Sequence, residues 1–228
     1  MQEKFRQAGR WMYAHLALAT ILKLTLGTFL ILSFYELADE VRDGETLAFD
    51  ETVLRWFNNL STPWLDSFFL NVTGLGGVAF VAATGIALTA FMAARRRWRD
   101  MWVVIIGLGG AALLNIILKL LFERVRPDLW EQLVVETSFS FPSGHSMASA
   151  ALAGVIIYLI MRSRLKVWLK STAIAAAVIY VALVGFSRLY LGVHYPTDVV
   201  GGWLVTSLWL LVTIPVIEKI ARSRRSNS

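Results

Sequence analysis

Long apolar runs separated by shorter polar segments make up most of the chain. Six of these runs approach the roughly 20 residues that a helix needs to cross about 30 Å of hydrocarbon. They lie at about 15–38, 68–94, 101–121, 147–163, 171–187 and 199–217. The pattern predicts an all-α, polytopic membrane protein in which one domain, residues 1–228, forms a bundle of six transmembrane helices.

The polar segment between the first two runs, about 39–67, carries apolar residues at intervals of three or four. They are Phe49, Val53, Trp56, Phe57, Leu60 and Trp64. This spacing predicts an amphipathic helix that lies in the membrane interface. A lid that packs over the mouth of the bundle explains the same pattern equally well.

Composition agrees with a membrane location. Hydrophobic residues make up 57% of the chain and charged residues 17%, whereas soluble domains contain about half and about a quarter. No cysteine is present, which excludes disulfides, thiolate metal sites and a cysteine nucleophile.

The basic residues are distributed unevenly. Of the 22 Lys and Arg residues, 15 fall on alternate polar segments that include both termini. The positive-inside rule therefore places both termini in the cytoplasm and the segment 39–67 on the extracytoplasmic side. The net charge of +6 comes from these cytoplasmic segments, where attraction to anionic headgroups is a sufficient explanation. Nucleic-acid binding is therefore disfavoured, and no obligate protein partner is evident. A cell (plasma or inner) membrane suits so compact a chain, with an organelle membrane as the alternative.

Three polar clusters lie at the extracytoplasmic ends of the predicted helices. The first consists of Lys119, near the end of the third run, and Arg126, which precedes Pro127. Pro127 disfavours helix at Arg126, so both cations are expected at one rim of the bundle. The alternative is that they snorkel toward lipid headgroups, as basic residues at helix ends commonly do.

The second cluster is Pro142-Ser143-Gly144-His145, immediately before the fourth run. Ser143 is expected to cap the helix, with Gly144 and His145 in its first turn. A helix N-terminus offers unpaired amide donors and a partial positive charge, which suit an anion. A cap explains Ser143 by itself, but it does not explain the adjacent imidazole.

The third cluster contains Arg188, His194 and Asp198. Pro196 suits the first turn of the sixth helix, which places His194 just before that helix and Asp198 just inside it. A carboxylate that accepts one imidazole N–H fixes the tautomer and aims the other nitrogen. Arg188 offers a planar fork of donors for phosphate oxygens. A purely structural ion pair between Arg188 and Asp198 is the alternative.

The order and internal spacing of these clusters resemble the three-part signature of the type-2 phosphatidic acid phosphatase superfamily. The matching stretches are Lys119-x6-Arg126-Pro127, Pro142-Ser143-Gly144-His145 and Ser187-Arg188-x5-His194-x3-Asp198. Every signature position is matched, and the six-helix layout extends the likeness over nearly the whole chain. Soluble vanadium haloperoxidases share the signature, but the hydropathy of this chain argues against them.

The resemblance implies a role for each residue. His194 is expected to be the nucleophile, with Asp198 orienting it, and His145 to be the acid that protonates the leaving alcohol and then the base that activates water. The implied phosphate cradle consists of Lys119, Arg126, Ser143, Gly144 and Arg188. Cations and a helix N-terminus can stabilise a loose phosphoryl-transfer transition state without a metal, so neither metal nor cofactor is expected.

The expected activity is hydrolysis of a phosphate monoester or diphosphate on a membrane lipid of the phosphatidic acid, phosphatidylglycerol phosphate or polyprenyl diphosphate class. It would proceed through a phosphohistidine at the extracytoplasmic face. A phosphotransferase could use the same residues. A transporter that only binds anionic lipid is a weaker alternative, because binding does not require paired histidines and an orienting carboxylate.

The remaining polar residues have simpler interpretations. The loop acids lack a metal-ligand spacing and are interpreted as solvated; they are Glu123, Asp128, Glu131 and Glu136. Asn115 is expected to be a packing or boundary residue. The glycines at 74–77 are expected to permit close helix packing and not to bind phosphate, because no cation lies beside them.

Overall fold

The computed structural model describes the backbone of residues 2–226 and the side chains of residues 18 and 20–223. Eight α-helices form in this range: α1 (Gln2–Asp43), α2 (Leu47–Asn58), α3 (Pro63–Gly74), α4 (Val78–Ala94), α5 (Trp98–Phe122), α6 (Gly144–Met161), α7 (Val167–Tyr190) and α8 (Pro196–Ser226). Several basic residues behind the orientation prediction have side chains outside the described range; they are Lys4, Arg6, Arg10, Arg224 and Arg225.

The prediction of an all-α, polytopic membrane protein is confirmed. In the described range, α1, α5, α6, α7 and α8 are each long and apolar enough to cross a membrane. The pair α3 and α4 makes a sixth span if it is counted as one bent helix, with a bend of 40°. All six predicted runs therefore correspond to helical structure.

The run at 68–94 is interrupted at residues 75–77, where α3 ends and α4 begins. Close packing against α6 and α7 explains why residue 76, at the centre of this break, is a glycine. A Cβ on Gly76 would lie 2.4 Å from Val184 Cγ1 of α7 and 3.4 Å from His145 Cβ of α6. The expectation of close helix packing is therefore confirmed for Gly76, which lies beside His145, whereas a Cβ on Gly74 would meet nothing within 4 Å.

The segment 39–67 forms the end of α1, all of α2 and the start of α3. One face of α2 packs inward: Leu54 is fully buried against Leu189, Tyr195 and Val199. Its other face leaves aromatic side chains such as Trp56 exposed. The inward contacts agree with a packing lid over the α7–α8 connection, and the outward face keeps the amphipathic pattern of an interfacial helix.

Helix α6 lies at the centre of the bundle, packed against α5, α7 and α8. Glycines allow the close approach. A Cβ on Gly154 of α6 would lie 2.4 Å from Leu210 Cδ1 of α8, and one on Gly107 of α5 would lie 2.8 Å from Val155 Cγ2. Small residues at helix contacts are the usual way for membrane helices to pack tightly.

The three polar clusters meet at one end of the bundle. Helix α5 ends there at Phe122, α6 begins there, α7 ends at Tyr190 and α8 begins at Pro196. The Ser143 amide donates to the Asp198 carbonyl at 3.0 Å, which joins the second cluster to the third. The loop over residues 123–143 closes around the same region.

Candidate active site

His194 lies in the short connection between α7 and α8 and is 1% exposed. Its Nδ1 is 3.2 Å from Asp198 Oδ2, four residues later. The Tyr195 amide donates to the same oxygen at 2.8 Å, and Ser140 Oγ also donates to it. Pro196 begins α8, as the sequence predicts. Contacts within four residues therefore bring imidazole and carboxylate together, and Ser140, 58 positions away, adds a long-range hydrogen bond to the same oxygen.

The other oxygen of Asp198 is bound by Arg124, a residue that the sequence analysis missed. Arg124 Nη1 lies 2.6 Å from Asp198 Oδ1, and Nη2 lies 2.7 Å from Asp50 Oδ2. Asp50 also accepts from Thr197 Oγ1 at 2.6 Å. The structural ion pair between Arg188 and Asp198 that was considered as an alternative is wrong, because Arg124 is the guanidinium partner of Asp198.

The second nitrogen of His194 faces the first cluster. Nε2 lies 3.1 Å from Arg126 Nη1, which also donates to the Val193 carbonyl at 2.6 Å. A carboxylate only accepts, so we place the ring proton on Nδ1 and the lone pair on Nε2. Burial lowers the pKa of His194 well below 6.5, and the charge of Arg126 lowers it further. The ring is therefore neutral, with a basic nitrogen among cations.

Lys119 points into the bundle instead of toward headgroups. It is 9% exposed, and its Nζ donates to Ser138 Oγ at 3.2 Å and to the Phe139 carbonyl. Arg126 Nε donates to the Ser138 carbonyl at 2.6 Å. The snorkelling alternative is wrong for Lys119, because both cations are held by the same stretch of the 123–143 loop.

Arg188 is 1% exposed and lies between α3 and the loop. Its Nη1 donates to Thr73 Oγ1 at 2.6 Å, and its Nη2 pairs with Glu136. Its Nε has no hydrogen-bond partner in the described part of the chain. The expectation that no cation lies beside the 74–77 glycines is wrong, because Arg188 reaches Thr73 from α7, about 115 positions away in sequence.

Glu136 belongs to the polar cluster and not to the solvated surface. Besides pairing with Arg188, its Oε2 lies 3.8 Å from Arg126 Nη2. Burial raises the pKa of Glu136, but Arg188 and Arg126 outweigh burial and lower the pKa below its ordinary value. The interpretation of this residue as a solvated loop acid is wrong. A loop without regular structure gives no periodic signal that could have revealed its inward direction.

The second cluster has the predicted geometry. Ser143 caps α6 and accepts from the Ser146 amide at 3.4 Å, with Gly144 and His145 in the first turn. Asn115 of α5 donates to the Pro142 carbonyl at 3.0 Å. A Cβ on Gly144 would lie 3.1 Å from Asn115 Oδ1. Asn115 is thus a packing residue, as expected, and it fixes the turn that carries His145.

A cavity of about 830 Å³ joins these groups. Five of the eight predicted site residues line it: Lys119, Arg126, Gly144, His145 and His194. The other three stand behind the lining, since Ser143 and Asp198 are 0% exposed and Arg188 is 1% exposed. From the polar end the cavity continues along α4 and α5 between apolar side chains such as Ile86, Leu108 and Ile116.

The fold and site define a class of protein: a helical membrane protein whose two histidines and basic side chains share one cavity. The family model of the PAP2 superfamily matches residues 100–222. The chain belongs to this superfamily, and it is accordingly a membrane phosphatase.

Individual relatives agree. A phosphatidylglycerophosphatase B of Bacillus subtilis is 38% identical over 86% of this chain and 97% of its own length. An undecaprenyl-diphosphatase of the same organism is 29% identical over 62% of this chain and 69% of its own. The crystal structure of a transmembrane PAP2-type phosphatidylglycerolphosphate phosphatase from Bacillus subtilis superposes with a TM-score of 0.77 at 34% identity, covering 85% of this chain and 96% of that one.

Proposed function

We propose that the protein hydrolyses a phosphate monoester or diphosphate on a membrane lipid, without a metal, through a phosphohistidine intermediate at the extracytoplasmic face. One observation carries the proposal. His194 is held through Nδ1 by Asp198, while its Nε2 faces the cavity beside Arg126, 3.1 Å away.

His194 is the nucleophile. Nε2 attacks phosphorus, an N–P bond forms and the bond between phosphorus and the lipid oxygen breaks. The developing positive charge on the ring is balanced by Asp198, which Arg124 and Ser140 hold in place. Asp198 orients the ring and stabilises the imidazolium without taking its proton.

His145 is the general acid and then the general base. It lines the same cavity, where it protonates the departing lipid oxygen. The neutral imidazole then takes a proton from water, whose oxygen attacks the phosphohistidine. An O–P bond forms, the N–P bond breaks, and inorganic phosphate leaves.

We assign the phosphate oxygens to Lys119, Arg126 and the first turn of α6 at Gly144, which line the cavity, with Arg188 and the capping residue Ser143 directly behind that lining. The carbonyls that Lys119 and Arg126 bind, Phe139 and Ser138, keep these side chains in place before substrate arrives. Preorganised cations of this kind stabilise charge on the transferring phosphoryl group.

The cavity supports a lipid substrate. Its lining runs along α4 from Val78 to Ala93, which is about 22 Å at 1.5 Å per residue. That length accommodates an acyl or prenyl chain alongside a headgroup at the polar end. The names of the relatives favour phosphatidylglycerol phosphate or a polyprenyl diphosphate as the class of substrate.

The activity test uses purified protein in detergent with EDTA and a panel of lipid phosphates. We expect phosphate release from at least one of them, inhibition by vanadate, and loss of activity in His194→Asn. With an aryl phosphate, whose leaving group needs no proton, His145→Ala should accumulate phosphate on His194, and His194→Asn should not be labelled. Unchanged turnover in His194→Asn rejects the mechanism. Transfer of labelled phosphate mainly to a second lipid favours the phosphotransferase.

The side of the membrane can be tested because the chain has no cysteine. Val135 lies in the loop over the site and is 86% exposed, and Val167 lies at the other end of the bundle and is 79% exposed. Each can be replaced singly by cysteine. In intact cells an impermeant maleimide should label Val135→Cys and spare Val167→Cys. The reverse pattern would place the site in the cytoplasm.

A further inference from the structure

A second cleft, of about 990 Å³, opens at the other end of the bundle, where α5 begins and α6 and α8 end. Five arginines line it: Arg96, Arg97, Arg99, Arg162 and Arg222. Helix α5 reaches from this cleft at Trp98 to the polar cavity near Phe122, a distance of about 36 Å along the helix. The cleft therefore lies at the level of the opposite leaflet and has no part in the site described above.

A buried carboxylate forms ion pairs with three of the arginines that line the cleft. Asp100 is 3% exposed, and its oxygens lie 2.7 Å from Arg97, 3.3 Å from Arg99 and 3.3 Å from Arg162. Tyr158 Oη donates to the same carboxylate at 3.2 Å. Arginines that only snorkel would spread over the headgroups, whereas these are drawn to one point.

The arginines are not fully neutralised. Glu218 pairs with Arg162 at 3.4 Å and with Arg222 at 3.6 Å, so two carboxylates face five guanidiniums. Arg96 makes no ion pair with any residue in the described part of the chain, and its φ of 53° places it in the left-handed region. An excess of three positive charges in a cleft attracts a phosphate group.

The walls of the cleft are apolar. They are formed by Trp98, Met101, Trp102, Ile106, Ile217 and Ile220. Trp98 is 56% exposed and Trp102 is 48% exposed, and tryptophan is the residue that favours the membrane–water boundary. Cations beside an exposed apolar wall complement a phosphate that carries acyl chains better than they complement free phosphate.

We propose that this cleft binds the headgroup phosphate of an anionic phospholipid in the leaflet opposite the catalytic site. The Asp100 network sets the positions of Arg97, Arg99 and Arg162, while Arg96 and Arg222 complete the site from its rim. Trp98 and Trp102 contact the acyl chains. The ligand is assigned as bound and not turned over: among the described residues no histidine lines the cleft, and its one lining carboxylate, Asp100, is held by three arginines.

The test compares two charge-matched double variants. Arg96→Gln/Arg222→Gln removes two cations of the cleft and leaves the Asp100 network intact. Arg95→Gln/Arg164→Gln removes two cations from the same end of the bundle but outside the cleft lining. Native mass spectrometry in detergent counts bound dioleoylphosphatidylglycerol, with vanadate present to occupy the catalytic cavity. Gel filtration and thermal unfolding without lipid verify that both variants fold.

We expect one tightly bound phosphatidylglycerol, with an affinity at least fivefold lower in Arg96→Gln/Arg222→Gln and within twofold of the parent in the control variant. Dioleoylphosphatidylcholine should bind at least fivefold more weakly than phosphatidylglycerol. Equal losses in the two variants would show general surface attraction and overturn the proposal. Competition by glycerol phosphate at lipid-like concentrations would assign the cleft to a free phosphate and also overturn it.

Discussion

Arg124 Nη1 lies 2.6 Å from Asp198 Oδ1, the carboxylate oxygen that does not bind His194. The same guanidinium reaches Asp50 of α2 at 2.7 Å. The carboxylate that aims the proposed nucleophile is thus fixed from both sides. Arg124 does not line the cavity, so its contribution is to position Asp198 and through it the imidazole.

Replacing Arg124 by Gln should lower kcat about 100-fold, the scale of loss expected when a reacting group is misplaced by about 1 Å. The KM should change little, because Arg124 does not contact the phosphate. Steady-state kinetics in detergent provide the measurement, with Arg55→Gln, a surface arginine of α2, as the control. A raised KM at unchanged kcat would instead place Arg124 in substrate binding.

Glu136 forms ion pairs with cations that are proposed to bind the substrate phosphate. It pairs with Arg188 and lies 3.8 Å from Arg126, so an arriving anion competes with this carboxylate. Glu136→Gln keeps the size and removes the charge. We expect vanadate to inhibit this variant at roughly tenfold lower concentration, about 1.4 kcal/mol in binding. Glu131→Gln, in the exposed part of the same loop, should behave like the parent, and weaker inhibition of Glu136→Gln would refute the competition.

The protonation of His194 gives a pH prediction with a definite sign. Because burial and Arg126 lower its pKa well below 6.5, the ring stays neutral as the pH falls through 6.5, whereas an ordinary histidine becomes charged. Nuclear magnetic resonance of ¹³C-labelled histidine in micelles should show that the His194 ring does not titrate between pH 8 and pH 6. The missing signal in His194→Asn assigns it. A titration midpoint near 6.5 for His194 would contradict the lowered pKa.

The contact of Gly76 with α7 predicts a steric effect on His145. Gly76→Ala would place a methyl group 2.4 Å from Val184 Cγ1, and valine cannot easily rotate away. We expect kcat to fall about tenfold as the α3–α4 break shifts against His145. Gly74→Ala meets nothing within 4 Å and is the matched control. Val184→Ala should restore activity to Gly76→Ala; failure of that rescue would argue for a different cause.

The local part of the site could be predicted from sequence, and the long-range part could not. The pairing of His194 with Asp198 could be predicted from their spacing of four residues and from the proline that starts the helix. The capping role of Ser143 could be predicted from its position just before an apolar run. Arg124 differs, because its partners lie 74 positions away in each direction, at Asp50 and Asp198. Thr73 and Glu136 were missed for the same reason: apolar periodicity locates helices but does not say which polar side chains meet between them.

The reach of Arg124 to α2 also limits how the chain can be divided. The PAP2 family model begins at residue 100, after the carboxylate of Asp50 and the hydroxyl of Thr73 that hold Arg124 and Arg188. A chimera that transplants only residues 100–222 into another scaffold would carry every signature residue and yet lack two of the groups that aim them. We therefore expect residues 100–222 alone to be insufficient for activity in another scaffold. Grafting experiments should include α2 and α3 as well.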